Sequence, residues 1–111
     1  MGKTNPAFMS GVPELIVLRL LTNKEMYGYE LVRAIRQISN EVIVLAEGVV
    51  YPALHSLEAR GMLRSRSSVE SGRPRVYYRT TRKGQQRLDE LVGEWERISG
   101  GIKTVLGEMY A

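Results

Sequence analysis

Nine of the sixteen Lys and Arg residues in this 111-residue chain fall between Arg60 and Arg87, where Glu70 is the only acid. That segment carries +8 and leaves −4 for the remainder of a chain whose net charge is only +4. Guanidinium groups at this density neutralise phosphates and donate hydrogen bonds to them. Within the segment, Ser71-Gly72-Arg73-Pro74-Arg75 reads as a turn between two strand-like runs. A basic hairpin tip after a short helical region suits a phosphate backbone. A charge run is ordinarily just a solvated face; the position of this one at a turn argues for anion binding.

Other chemistries find little to work with. The chain has no Cys and one His, His55, so disulfides and thiolate metal sites are excluded. A lone imidazole with no second His or carboxylate at ligand spacing makes no metal site. There is no phosphate-cradling glycine loop and no carboxylate cluster, so no enzyme activity is assigned and no cofactor is expected. No apolar run approaches the roughly 20 residues that span a bilayer. Residues Met1 to Pro6 lack a signal-peptide core, and Pro6 stands where a myristoylation motif wants Ser or Thr. The expectation is one small soluble domain in the cytoplasm, with no membrane partner.

The elements that position the basic residues follow from the apolar pattern. Residues 1–10 contain Asn5-Pro6 and read as a flexible arm. Ser10 or Gly11 caps a first helix, with Pro13 and Glu14 suited to its first turn. Leu15 to Leu21 is apolar nearly all round, so this helix is expected to be buried on more than one side. A second helix runs from about Tyr27 to Ser39 with Leu31, Ile35 and Ile38 as its buried stripe. Val42 to Leu45 is either a short strand or an apolar link, and the lack of a pairing partner in reach favours the link. A third helix spans Glu47 to Arg60, with Val50, Leu54 and Leu57 buried, Gly61 as its stop, and Pro52 near its first turns. Strands are expected over Leu63 to Glu70 and Arg75 to Thr80, with Val76 and Tyr78 on one side and Arg75, Tyr77 and Arg79 on the other.

The last element begins at Thr81, a helix cap, and runs from Arg82 to about Met109. Leu88, Leu91, Trp95, Ile98, Ile102, Val105 and Met109 recur at spacings of three and four, a heptad seam. At about 1.5 Å per residue this helix is roughly 40 Å long, more than a domain of this size covers. Packing on its own core is the plain alternative; self-association through the seam, antiparallel or as four helices, is the favoured one. Gly100-Gly101 either weakens the helix or allows a close crossing.

The order H-H-H-β-β-H is that of a winged helix-turn-helix: an α+β fold, mostly α, with a DNA-binding unit over 11–80 and a dimerisation helix over 81–111. In that architecture the third helix enters the major groove by its early residues, here Gly48, Val49, Tyr51, Pro52 and His55. Tyr51 is offset from the buried row, which suggests partial exposure, and His55 lies one turn later on the same face. Gly72, Arg73 and Arg75 form the wing tip, stiffened by Pro74. Arg64 and Arg66 are further candidates for DNA, although strand alternation lets some arginines pair with Glu58 or Glu70. Arg82 and Lys83 stand at a helix start that also favours anions.

Four ordered blocks resemble the PadR family of bacterial transcriptional regulators. They are Tyr27-Gly28-Tyr29-Glu30-Leu31, the run from Gly48 to Leu63, Gly72 to Arg79, and Thr81-Arg82-Lys83-Gly84. The likeness extends over nearly all of residues 10–97. It implies a winged-helix homodimer that represses transcription, and the short subfamily without a separate C-terminal domain. It also implies that Tyr51 belongs to the recognition helix and that Gly72, Arg73 and Arg75 are the wing residues. Val49 departs from the pattern, since the family commonly carries a small hydroxyl residue there. Such a homodimer implies a palindromic operator in double-stranded DNA.

Trp95, the only tryptophan, is either an ordinary interface anchor or the wall of an apolar pocket between subunits. Drug-binding members of the short subfamily resemble the second arrangement. There Leu91, Val92 and Ile98, with Leu15 and Val12 of the first helix, would enclose a small aromatic effector. The functional expectation is therefore a dimeric repressor relieved by such a ligand. The alternative is a winged-helix protein-interaction module without sequence-specific DNA binding.

Overall fold

Gly11 takes a left-handed conformation (φ 81°) and so turns the chain into α1 (Val12–Asn23), with Pro13 in the first turn. The computed structural model describes residues 11–107; the arm expected over residues 1–10 and the seam position at Met109 lie outside them. Val17, Leu18 and Leu21 are fully buried, while Leu15, Ile16 and Leu20 pack at the edge of the core. The helix is thus covered on more than one side, as its composition requires.

A two-residue strand, β1 (Met26–Tyr27), follows. It has no signature in the sequence, being too short for any alternation. α2 (Gly28–Ile38) buries Leu31 and Ile35, but Ile38 is 65% exposed, contrary to the expected three-residue stripe. The helix ends at Ile38 and the chain reverses through Asn40 and Glu41, both at positive φ (54° and 65°), before the stripe completes another turn. Residues 43–46 form an irregular link rather than a strand. The Ser39 hydroxyl accepts from the Ile43 amide at 3.0 Å, and Leu45 is buried in the core.

α3 (Glu47–Ala59) docks through Val50, Leu54 and Leu57, none more than 1% exposed. Pro52 lies in the second turn of the continuous helix, and Gly61 beyond its end is left-handed at φ 80°. β2 (Leu63–Glu70) and β3 (Arg73–Thr80) are antiparallel, and β1 joins the other edge of β3 to give the order β1-β3-β2.

The turn is tighter than the five residues expected. Ser71 and Gly72 alone make it, both at positive φ (55° and 75°), the two-residue geometry whose twist matches a hairpin. Glu70 pairs with Arg73 and Val69 with Pro74, so Pro74 lies inside the strand. It is tolerated because β1 reaches only Tyr77 and Tyr78; at Pro74 the far side of β3 has no neighbour to bond. Tyr78 joins the core while Tyr77 is buried from the opposite side, because the ring of Tyr27 stands against it.

α4 (Arg82–Gly107) is capped as expected: the Gly84 amide donates to Thr81 Oγ1 at 3.1 Å, and that hydroxyl donates to the Gly61 carbonyl at 2.7 Å. Gly84 presses against the Met62 backbone with no room for a β-carbon. Leu88 is 3% exposed and belongs to the core of its own chain. This corrects its place in the dimerisation seam, since a side chain spent on the intramolecular core is not presented to a partner. Trp95, Ile98, Ile102, Val105 and Leu106 are all exposed beyond it. The helix continues through Gly100-Gly101, and with it the chain measures 57 × 33 × 21 Å.

Candidate nucleic-acid interface

Strand alternation sends five arginines to one side of the sheet. Arg64 and Arg66 of β2 share it with Arg73, Arg75 and Arg79 of β3. The register sets Arg64 opposite Arg79, Arg66 opposite Tyr77, Ser68 opposite Arg75 and Glu70 opposite Arg73. The other side meets the core through Leu63 and Tyr78. The polarised charge of the sequence is thereby a polarised surface.

The five are not equivalent. Arg66 is gripped by the Glu25 carboxylate, with Nε at 3.0 and 3.1 Å from its two oxygens and Nη2 closing the fork. Its Cζ lies 4.8 Å from the centre of the Tyr77 ring. The hydrogen bond from Arg66 is the main reason the Glu25 carboxyl is held below its usual range. Arg75 lies 4.4 Å over the Tyr27 ring and 3.8 Å from Glu70. The Tyr77 hydroxyl donates to Glu70 at 2.8 Å, which, more than its burial, raises the phenol's pKa. Arg64 and Arg73 have no ion pair among the described residues. Arg73 adjoins the turn, whereas Arg64 lies six residues from Glu70, roughly 20 Å along the strand.

On α3, Gly48, Val49, Pro52 and His55 are exposed at spacings that place them on one face. Val50, Leu54 and Leu57 hold the opposite face to the core, so this surface is rigidly presented and open. Tyr51 is set differently from its neighbours. Its ring lies over Gly28, where any β-carbon would stand 2.6 Å from Cζ and 2.7 Å from the hydroxyl. Burial, then the nearby Glu47 and Tyr27, raises the pKa of that hydroxyl. Tyr51 therefore spends most of its surface joining α3 to the start of α2. At that start, Tyr29 is 50% exposed with Arg33 stacked 5.8 Å over its ring, a pair beside the helix-turn-helix that sequence reasoning passed over. Its i, i+4 spacing is the signal that was available.

Along α1 and α4, Val12, Leu15, Leu91 and Trp95 line one groove of about 260 Å³ together with Gly11, Glu94 and Ile98. Val92, expected in the same pocket, instead lines a neighbouring apolar groove of about 530 Å³ with Leu15, Ile16, Leu20, Ile35 and Ile38. Successive helix positions 91 and 92 point about 100° apart, which is what separates them. Among the described residues no group of acids and His is placed to hold a metal, and no helix is long and apolar enough to cross a membrane.

Comparison with known proteins gives this geometry a setting. An uncharacterised protein of Lysinibacillus sphaericus is 34% identical over 84 residues, 75% of this chain and 77% of that protein. The Escherichia coli transcriptional regulator YqjI is 29% identical over 102 residues, 92% of this chain and 48% of its own, so the chain spans about half the length of that relative. A transcriptional regulator from Clostridium thermocellum superposes with a TM-score of 0.84 at 31% identity, over 91% of this chain and 96% of that one. Residues 17–90, from the buried row of α1 through the wing to the first turns of α4, match the transcriptional regulator PadR-like family. That match takes in well over half of the sequence, and the chain belongs to the PadR-like family of transcriptional regulators.

Proposed function

We propose that the chain is a dimeric, sequence-reading DNA-binding repressor of the cytoplasm. The observation that carries the reading is the open face of α3: Gly48, Val49, Pro52 and His55 exposed on a helix whose other side is locked by Val50, Leu54 and Leu57. That face enters the major groove, where Val49 and Pro52 offer apolar contact and His55 a hydrogen bond to a base edge or phosphate. Gly72 and Arg73 at the wing tip follow the adjoining phosphates. Arg64 and Arg66, further down the ribbon, contribute field more than contact.

Exposed Trp95, Ile98, Ile102 and Val105 on α4 support pairing with a second copy, and a two-fold dimer reads a palindromic operator. The groove of Val12, Leu15, Leu91 and Trp95 takes a flat aromatic effector. It releases DNA by binding more tightly to the dimer arrangement that does not fit the operator.

The test is fluorescence anisotropy at near-physiological salt with two duplexes: the promoter region upstream of the protein's own gene, and a shuffled sequence of equal composition. A preference of about 10³-fold or more is expected for a specific regulator. Equal, weak binding to that duplex, and to any selected from a random pool, would replace this reading with that of a protein-interaction module.

A further inference from the structure

The outer half of the wing is a two-stranded ribbon with no third strand beside it. β1 pairs with β3 only at Tyr77 and Tyr78, so residues from Arg73 to Val76 are held by β2 alone. Isolated two-stranded ribbons are marginal in water. The angle of the wing tip to α3 must therefore be set by side chains on the ribbon's outer face.

One ring packed on that face joins the ribbon to the helix-turn-helix. Tyr27 is the residue immediately before α2. Its ring stands edge-on to Tyr77, with centroids 5.5 Å apart and planes at 76°, and carries the Arg75 guanidinium at 4.4 Å. The next residue, Gly28, lies beneath the Tyr51 ring of α3. Arg75–Tyr27, the Tyr27–Gly28 peptide and Gly28–Tyr51 thus form a continuous path from wing to recognition helix.

We propose that Tyr27 is a positioning residue for DNA binding, the joint that fixes the wing against α3, and that Arg75 acts as the wing's anchor on this joint rather than as a phosphate ligand. The proposal rests on the DNA-binding reading for its purpose. Its geometry belongs to the free protein. Arg75 is half-buried and already engaged by Tyr27 and Glu70, whereas Arg73, two residues away on the same face, is exposed and unpaired among the described residues. The two wing arginines therefore divide the work.

The experiment has a DNA-free arm and a DNA arm. Amide hydrogen exchange is measured on the free full-length protein for residues 69–76 other than Pro74, which has no amide proton, and, as an internal standard, for core amides such as Leu18 and Leu54. Arg75→Met keeps the stem and removes the cation; it is expected to speed tip exchange about 2- to 30-fold, the span of a cation–π contact, with core amides unchanged. Tyr27→Leu should match it, and Tyr27→Phe, which keeps the ring, should stay near wild type. Should Tyr27→Leu fail to fold, Arg75→Met is read against Glu70→Gln, which removes the 3.8 Å ion pair and keeps the ring contact; equal acceleration by the two would overturn the proposal. In the DNA arm Arg75→Met is expected to weaken binding while leaving the slope of log K against log salt unchanged, whereas Arg73→Ala lowers that slope by about one. Unchanged tip exchange in Arg75→Met, or a slope that falls as it does for Arg73→Ala, would overturn the proposal. A protein that binds no duplex but shows the exchange pattern would retain the joint and lose only the DNA reading.

Discussion

The ring of Tyr51 occupies the space a side chain at Gly28 would need, with its Cζ 2.6 Å and its hydroxyl 2.7 Å from where a β-carbon would stand. This fit brings the start of α2 and α3 together, and makes Gly28 a packing requirement. Gly28→Ala should cost about 1–3 kcal/mol, the range for overfilling a packed site, read as a fall in urea midpoint at unchanged m-value. Pairing it with Tyr51→Leu should recover part of the loss. Purely additive costs would show that the two positions are not coupled.

Gly84 poses the same problem against backbone. A β-carbon there would overlap the Met62 carbonyl and stand 2.8 Å from Thr80 Cγ2. Since a carbonyl in a turn cannot rotate aside as a tyrosine ring can, Gly84→Ala is expected to cost more than Gly28→Ala, about 3 kcal/mol or above. A smaller loss of stability at Gly84 than at Gly28 would contradict this ranking.

The wing arginines should separate by their salt dependence. Arg73→Ala is expected to weaken binding to all duplexes and to reduce the salt slope by about one. Arg66→Ala should change it less, because Glu25 already neutralises that cation. Glu25→Gln should raise nonspecific affinity by releasing it. Equal slopes for Arg73→Ala and Arg66→Ala would refute the division.

The Glu25–Arg66 pair also leaves a pH signature. The carboxyl of Glu25 lies below its ordinary value of 4.5 in the folded chain, chiefly through its hydrogen bond from Arg66. A depressed acid stabilises the fold above the unfolded value and loses that contribution as pH falls through the folded one. Wild type should therefore lose stability more steeply than Glu25→Gln as pH drops below about 4.5. Both groups are solvent-facing, so the difference is small and should shrink further in high salt. Parallel curves in acid would show that the pair contributes nothing.

Leu88 and Trp95 sit two turns apart on α4 and should fail differently. Leu88→Ala opens the core and is expected to cost about 2–5 kcal/mol in any oligomeric state. Trp95→Ala should leave the fold of the protomer intact and shift sedimentation at low micromolar concentration toward monomer. Trp95→Ala sedimenting like wild type would remove the seam from the interface.

The sequence by itself determined the order of the four helices and the wing hairpin, most helix bounds and the cap at Thr81, and narrowed the first cap to Ser10 or Gly11, because periodicity and capping are local properties. It also placed the basic residues on the wing, since period-two alternation needs no tertiary knowledge. The family resemblance was legible for the same reason: its motifs are short and consecutive.

Only the tertiary structure decided how those pieces are spent. Strand β1 is two residues long and exists because β3 offers it an edge. Leu88 and Trp95 share one heptad pattern, and only packing assigns the first to the core and leaves the second exposed. Arg66 finds Glu25 from 41 positions away, and Arg75 finds Tyr27, contacts created by strand register and invisible to local pattern. The physical reason is range: hydrophobic period and turn chemistry act over a few residues, whereas the partner of a charge or a ring is chosen by whatever the fold brings within about 5 Å.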